Sequence, residues 1–206
     1  MKTIAIIGAG GNAREIAGII RDLGTFRFVG YLANTQGGYN SPTLGDFDWL
    51  ERNSVDCLAM GIGSPRLRLS IGRALAEKFP AVAWPVLVHP TAYVGPTGHL
   101  ERGAVVCVRA IATENVVVGE FAQLNFGCTV GHEARIGAGA LINPGANVSG
   151  DVDVGEGVMI AKGAQILQYR KLGRNSVIGA GAVVVRDVPP DATLIGIPAA
   201  FAVNPR

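Results

Sequence analysis

Between residues 94 and 184 an apolar position returns every six residues. The series runs Val94, Leu100, Val106, Ala112, Val118, Leu124, Val130, Ile136, Ile142, Val148, Val154, Ile160, Ile166, Leu172, Ile178 and Val184. The residue four places after each is small or Val at every step except Arg170, and the next residue is often glycine, as at Gly95, Gly119, Gly131, Gly137, Gly155, Gly173 and Gly179. A helix repeats every 3.6 residues and a strand every two, so neither accounts for six. A stacked β-solenoid does: one aliphatic residue per hexad points inward, a small residue fits beside it, and glycine is expected at the sharp turn to the next flat face. Upstream the pattern changes. Residues 3–7 form a short apolar run ending in Gly8-Ala9-Gly10-Gly11, and residues 13–23 place Ile16, Ala17, Ile19 and Ile20 at helical spacing. Residues 26–32 and 57–62 read as further strands, the latter followed by Gly63-Ser64-Pro65 and a helix over 67–79. This alternation predicts a small parallel sheet. The chain therefore divides into a small Rossmann-like α/β domain (1–85) and a solenoid with a C-terminal tail (86–206).

Composition narrows the partners. A chain of 206 residues that is 49% hydrophobic can bury a real core. Its 29 glycines are about twice the usual share of roughly 7%, without the G-X-Y period of collagen. The balance of 18 Lys+Arg against 16 Asp+Glu, a net +2, is too weak for a nucleic-acid or polybasic membrane binder and points to small-molecule partners. Cys57, Cys107 and Cys128 are odd in number and lack CxxC spacing. That argues against a disulfide framework or zinc site and for three small core residues in a reducing compartment. The first residues are too briefly apolar for a signal peptide, and no later run reaches about 18 apolar residues. A soluble cytoplasmic protein is the expectation.

The glycine turn is the first candidate site. Backbone N–H groups at a helix N-terminus bind phosphate, and glycine lets that backbone come close. Gly8-x-Gly10-x-x-Ala13 resembles a dinucleotide fingerprint, but the second strand ends in Tyr31-Leu32-Ala33-Asn34, without the acidic residue that would hold a ribose. The domain also stops before a second mononucleotide half could form. Gly8, Gly10, Gly11, Asn12 and Asn34 are thus expected around a mononucleotide or nucleotide-sugar phosphate instead of NAD. Arg68, just inside the helix after Gly63, either adds a phosphate contact or is a solvated helix-start arginine.

The hexads resemble those of the hexapeptide-repeat acyltransferases. That resemblance implies triangular coils of 18 residues wound left-handed, an exception to the usual crossover rule, and about five coils for sixteen hexads. In this register Gly119, Gly137, Gly155 and Gly173 stack on one corner, and Asn125 and Asn143 on another. His132 takes the third place of its hexad and projects outward from a rigid wall. One coil on stands Gly150, beside Ser149. With coils about 4.8 Å apart, the missing side chain would leave an open shelf above the imidazole. Glu114, one coil back, or Glu133, next in sequence, could accept the second ring N–H and fix the tautomer. His89, in His89-Pro90-Thr91-Ala92, suits a turn at the solenoid entry, and His99 is expected in solvent. His99 and His132 are 33 apart, not a multiple of 18, which disfavours a converging-histidine metal site. Because the register leaves no room for an excursion loop, the α/β domain must hold the acceptor.

Five motifs occur in order: Gly8-Ala9-Gly10-Gly11, residues 62–68 (IGSPRLR), His89-Pro90-Thr91-Ala92, the run from Leu124-Asn125 through His132-Glu133 to Asn147-Val148-Ser149-Gly150, and Gly196-Ile197-Pro198-Ala199. Together they resemble the sialic-acid O-acetyltransferase-like family, which includes UDP-4-amino-sugar N-acetyltransferases. The resemblance implies acetyl transfer from acetyl-CoA to an amine or hydroxyl of a nucleotide-activated sugar, without a metal. It makes His132 the general base, Glu133 its partner, Asn125 a neighbour lining the acceptor pocket and the Gly150 N–H a donor to the thioester carbonyl. CoA would run near Lys162, Ala180 and Gly181, between two subunits of a homotrimer. The chain departs from the family pattern at Asn12-Ala13, Ala33-Asn34, Leu141 and Ala200. The competing readings are a catalytically silent nucleotide-sugar-binding scaffold and O-acetylation of a sialic-acid-type sugar.

Overall fold

The computed structural model describes residues 1–34 and 43–202; residues 35–42 and the end of the C-terminal tail, 203–206, lie outside it. The α/β half contains β1 (Lys2–Ile7), α1 (Gly11–Leu23), β2 (Phe26–Leu32), β3 (Thr43–Gly45), α2 (Trp49–Arg52), β4 (Cys57–Met60) and α3 (Pro65–Lys78). Four parallel strands lie in the order β3-β2-β1-β4. The pattern anticipated β1, β2, β4 and both long helices. It missed β3 and α2, which are three and four residues long and too short to carry a period.

The second half is a left-handed parallel β-helix, and its three sheets are its three faces. A first face, which begins at Leu87–Val88, carries the strands at 105–106, 123–124, 141–142, 159–160 and 177–178. A second carries 93–94, 111–112, 129–130, 147–148, 165–166 and 183–184, and a third 99–100, 117–118, 135–136, 153–154 and 171–172. Each strand pairs in parallel with the strand 18 residues away, as Leu124 does with Ile142 and Val130 with Val148. The hexad residues from Val106 onward, with their small companions, form one buried core. The solenoid is longer than the expected five coils. It starts one hexad earlier, at Val88, and ends on Thr193–Ile195, which pairs with 177–178 after the spacing drops from 18 to 16 at Leu172–Val188.

The expected role of the hexad glycines needs correction. The turn residue with positive φ lies two places further on, at every sixth residue from Gly103 to Gly181, and includes Arg109, Asn115, Phe121, Glu133, Asp151, Tyr169 and Asn175. Gly119, Gly137 and Gly155 are needed for a different reason. A Cβ on Gly137 would stand 2.6 Å from the Glu156 nitrogen, and one on Gly155 2.7 Å from that of Arg174. These glycines let one coil's backbone press on the next.

The α/β half sits on the first face and on both corners that border it. Ile4, Ile6 and the buried side of α1 pack with Leu87, Val105 and Cys107 of that face, while Phe121 joins Leu58, Leu69, Leu75 and Trp84. Helix α3 lies along one bordering corner, where Gly72 of the helix makes room for the Phe121 ring and Gly139 of the solenoid makes room for Leu69. Arg73 bridges Glu120 and Glu156, and Arg66 reaches Asp191. At the other bordering corner His89 bonds Asp22 of α1 through Nε2 and accepts the Thr91 N–H at Nδ1. This is the structural turn expected of it. All three cysteines are buried and free.

Candidate active site

Gly8 has φ +102, and a Cβ there would stand 3.2 Å from Ile62, so the turn is tight by necessity. Gly10 caps α1 without any side-chain bond, and a Cβ on it would meet nothing within 4 Å. Packing therefore does not demand glycine at position 10. The open N-terminus of a 13-residue helix with no acid in its first turn suits an anion. The polar residues expected to help are otherwise engaged. Asn12 and Gln123 exchange two amide hydrogen bonds, at 3.2 and 3.0 Å, which ties the turn to the solenoid. The Asn34 carboxamide oxygen accepts the Phe47 N–H.

Arg68 is neither a phosphate contact nor a solvated helix-start residue. It is 0% exposed and donates to the carbonyls of Phe121 (2.7 Å) and Ile62 (3.1 Å) and to Gln123 Oε1 (2.9 Å). Burial pushes its guanidinium down to about 9.

His132 stands exposed on the corner between the second and third faces. Its ring leans onto the next coil: a Cβ on Gly150 would lie 2.7 Å from both Nε2 and Cε1. The expected open shelf is thus occupied by the imidazole itself, and glycine at 150 is what lets the ring lie there. Among the described residues the Gly150 N–H has no acceptor, so a hydrogen-bond donor remains unused beside the ring. The two carboxylates point the other way. Glu133 accepts from Asn115 Nδ2 at 2.6 Å, and Glu114 from Thr97 Oγ1 at 2.6 Å. Both reach toward the preceding coil while His132 reaches toward the following one, so neither bonds the ring.

Past Gly150 on the same corner lies a cleft of about 400 Å³ lined by Ser149, Leu167, Gln168, Tyr169, Arg170 and Val185. Its volume falls within the range of about 300–1,000 Å³ usual for small-molecule sites. Sequence reasoning passed over Leu167, Tyr169 and Val185, although a signal existed. Ser149, Leu167 and Val185 are 18 apart at the hexad place where Gly95 and Gly131 stand earlier on the same corner.

The remaining candidates lie elsewhere. Asn125, 8% exposed, and Lys162, Ala180 and Gly181 fall on the corner between the first and second faces. Burial lifts the Glu15 carboxyl of α1 above its ordinary value, and the Lys162 ammonium pulls against that shift. Within one chain the glycine turn, Asn125 and Lys162 form one group, and His132, Gly150 and the cleft another. The α/β half borders two corners of the triangular solenoid, and His132 occupies the third. Among the described residues no three His, Cys, Asp or Glu are grouped to hold a metal ion, and no described helix is long and apolar enough to cross a membrane.

A small α/β domain is thus docked along two corners of a parallel β-helix, and an imidazole lies over a glycine at the third. Residues 3–75 match the PglD N-terminal domain model. The acetyltransferase domain of PglB from Neisseria gonorrhoeae, solved with acetyl coenzyme A, is 33% identical over 98% of this chain and 99% of its own, with a TM-score of 0.91. A histidine mutant of perosamine N-acetyltransferase from Caulobacter crescentus, solved with CoA and GDP-perosamine, is 28% identical over 99% of this chain and 98% of its own, also at 0.91. WeeI from Acinetobacter baumannii, 22% identical over 98% of this chain and 100% of its own, shares the fold at 0.88. No curated protein sequence matches. The chain belongs to the hexapeptide-repeat sugar acyltransferases.

Proposed function

We propose that the protein transfers the acetyl group of acetyl-CoA to the amino group of a nucleotide-activated sugar. The observation that carries this reading is the His132 imidazole lying over Gly150 beside an unused backbone N–H, on a chain whose relatives were solved with acetyl-CoA or with CoA and GDP-perosamine. In the reaction the sugar amine attacks the thioester carbonyl. His132 takes the amine proton as the C–N bond forms, the Gly150 N–H donates to the developing oxyanion, and the proton passes to the CoA sulfur as the C–S bond breaks. Glu133, one residue on, supplies negative charge near the imidazolium.

The two groups of candidates meet only across copies of the chain. We assign the acceptor's phosphates to Gly8, Gly10 and Gly11 of one subunit, with Asn125 beside them, and the base to His132 of a neighbour. The acetyl-CoA arm would run in the cleft past Gly150, closed by Lys162, Ala180 and Gly181 of the adjoining subunit. A homotrimer provides three such sites by cyclic symmetry. The buried free cysteines support a cytoplasmic place of action. A thiol-release screen with acetyl-CoA against UDP- and GDP-linked 4-amino sugars and their hydroxyl counterparts tests the reading. Release with the amines alone supports it; release with the hydroxyl sugars alone assigns O-acetylation, and release with none assigns the silent scaffold.

A further inference from the structure

Arg68 is a buried cation with no buried anion. Among the described residues it forms no ion pair, and its hydrogen bonds end on two carbonyls and one amide. Its Nη2 group, also buried, has no partner. Burying a cation in this way is costly. The three acceptors say what the arginine does there. Ile62 lies in the turn after β4, packed against Gly8 of the glycine turn; Phe121 is the corner residue that α3 docks on; and Gln123 lies on the first face of the solenoid.

The chemistry of guanidinium fixes a direction along this chain of contacts. Arginine can only donate, so Gln123 must present its oxygen to Arg68. The Gln123 nitrogen then faces Asn12, which must present its own oxygen to receive it, and the reciprocal bond from Asn12 Nδ2 closes the pair. Asn12 follows Gly10 and Gly11 and belongs to the first turn of α1, whose N–H groups have no acceptor within the helix. Two adjacent glycines have the greatest backbone freedom of any pair. The locked amide pair limits that freedom before a ligand arrives, and such prior ordering raises affinity without a new contact.

We propose that Arg68 is a positioning residue for the acceptor: it holds the diglycine turn in register with the solenoid through Gln123 and Asn12, and the ligand class that depends on it is a nucleoside diphosphate. The proposal rests on the assignment of the glycine turn to the acceptor. It is tested by calorimetric titration of the full-length protein with UDP, GDP and acetyl-CoA, in the wild type and in Arg68→Lys, Arg68→Met and Gln123→Leu. Expected is a loss of about tenfold or more in affinity for the preferred diphosphate in Arg68→Met and Gln123→Leu, with a smaller loss in Arg68→Lys, which keeps a donor. Acetyl-CoA affinity should stay within about twofold of wild type in all three. Gln123→Leu retains the buried arginine and so keeps the test open if Arg68→Met does not fold. Equal diphosphate affinity in wild type and folded variants overturns the positioning role and leaves the proposed function standing. Equal losses for both ligands reduce Arg68 to a general stabiliser. A wild type that binds neither diphosphate overturns the acceptor assignment and the proposal together.

Discussion

The solenoid and the α/β half reach their folds by opposite routes. In the solenoid each coil repeats the contacts of the last, so its core is a column of local hexads that touch mainly their neighbours 18 residues away. The α/β half is not closed in this sense, since both its core clusters include solenoid residues: Leu87, Val105 and Cys107 on one side of the sheet and Phe121 on the other. One region can be lengthened or shortened by a unit, whereas the other depends on a particular set of coils. The functional division follows the same line. The repetitive region carries the imidazole on a rigid wall, and the irregular region supplies an open helix end whose position is set from outside.

The sharpest way to separate the two is to disable chemistry on the solenoid alone. His132→Ala is expected to lower kcat by about 10² to 10⁴-fold while acetyl-CoA affinity changes little, because a general base acts in the transition state. Steady-state kinetics with a calorimetric titration checks this. A loss below about tenfold would mean that positioning of the two substrates supplies most of the rate.

Phe121→Ala attacks the dependence of one region on the other. It removes a fully buried ring that stands 5.0 Å from Trp84 and fills the space at Gly72 and Gly103. Large-to-small changes of this kind cost about 3–5 kcal/mol. Hydrogen exchange should locate the loss in α3 and the sheet of the α/β half, with the coils beyond residue 140 protected as before. Uniform loss along the whole chain would show that the two regions unfold as one.

Gly10→Val tests the open helix end. The position is extended, with φ −84 and ψ −168, and free of contacts, so valine fits without strain. It should raise the acceptor KM by about tenfold or more and leave the KM for acetyl-CoA nearly unchanged, which initial-rate kinetics would resolve. Smaller still is the expected effect at the carboxylates. Glu133→Gln should slow turnover by less than about tenfold and shift the pH dependence of kcat/KM, while Glu114→Gln does neither. The opposite ranking would give the role to Glu114.

How far this could be read in advance follows from where the determinants lie. The hexad is local, so Val94 to Val184 announce the solenoid, and the helices of the α/β half show in runs such as Ile16 to Ile20. Positions of candidate residues on different corners were also available: Lys162 is 30 residues from His132, which is not a whole number of coils. Arg68 was not legible. Its burial depends on contacts 53 and 55 residues away, and nothing near it in sequence marks a buried arginine. Asn12 drew notice as a pocket residue, but its partner is 111 residues distant. The direction in which His132 leans was equally hidden, because the same spacing permits the ring to face Gly150 or the carboxylates below.

The location of His132 at the corner that the α/β half does not border also bears on how defects would be inherited. On the proposed assignment, a chain that presents its acceptor turn on one side and its base on the other would contribute half of two different sites. A lesion in the turn and a lesion in the base, carried on separate alleles, would then fall in different halves. Where the two products assemble together, some sites would unite an intact turn from one with an intact imidazole from the other.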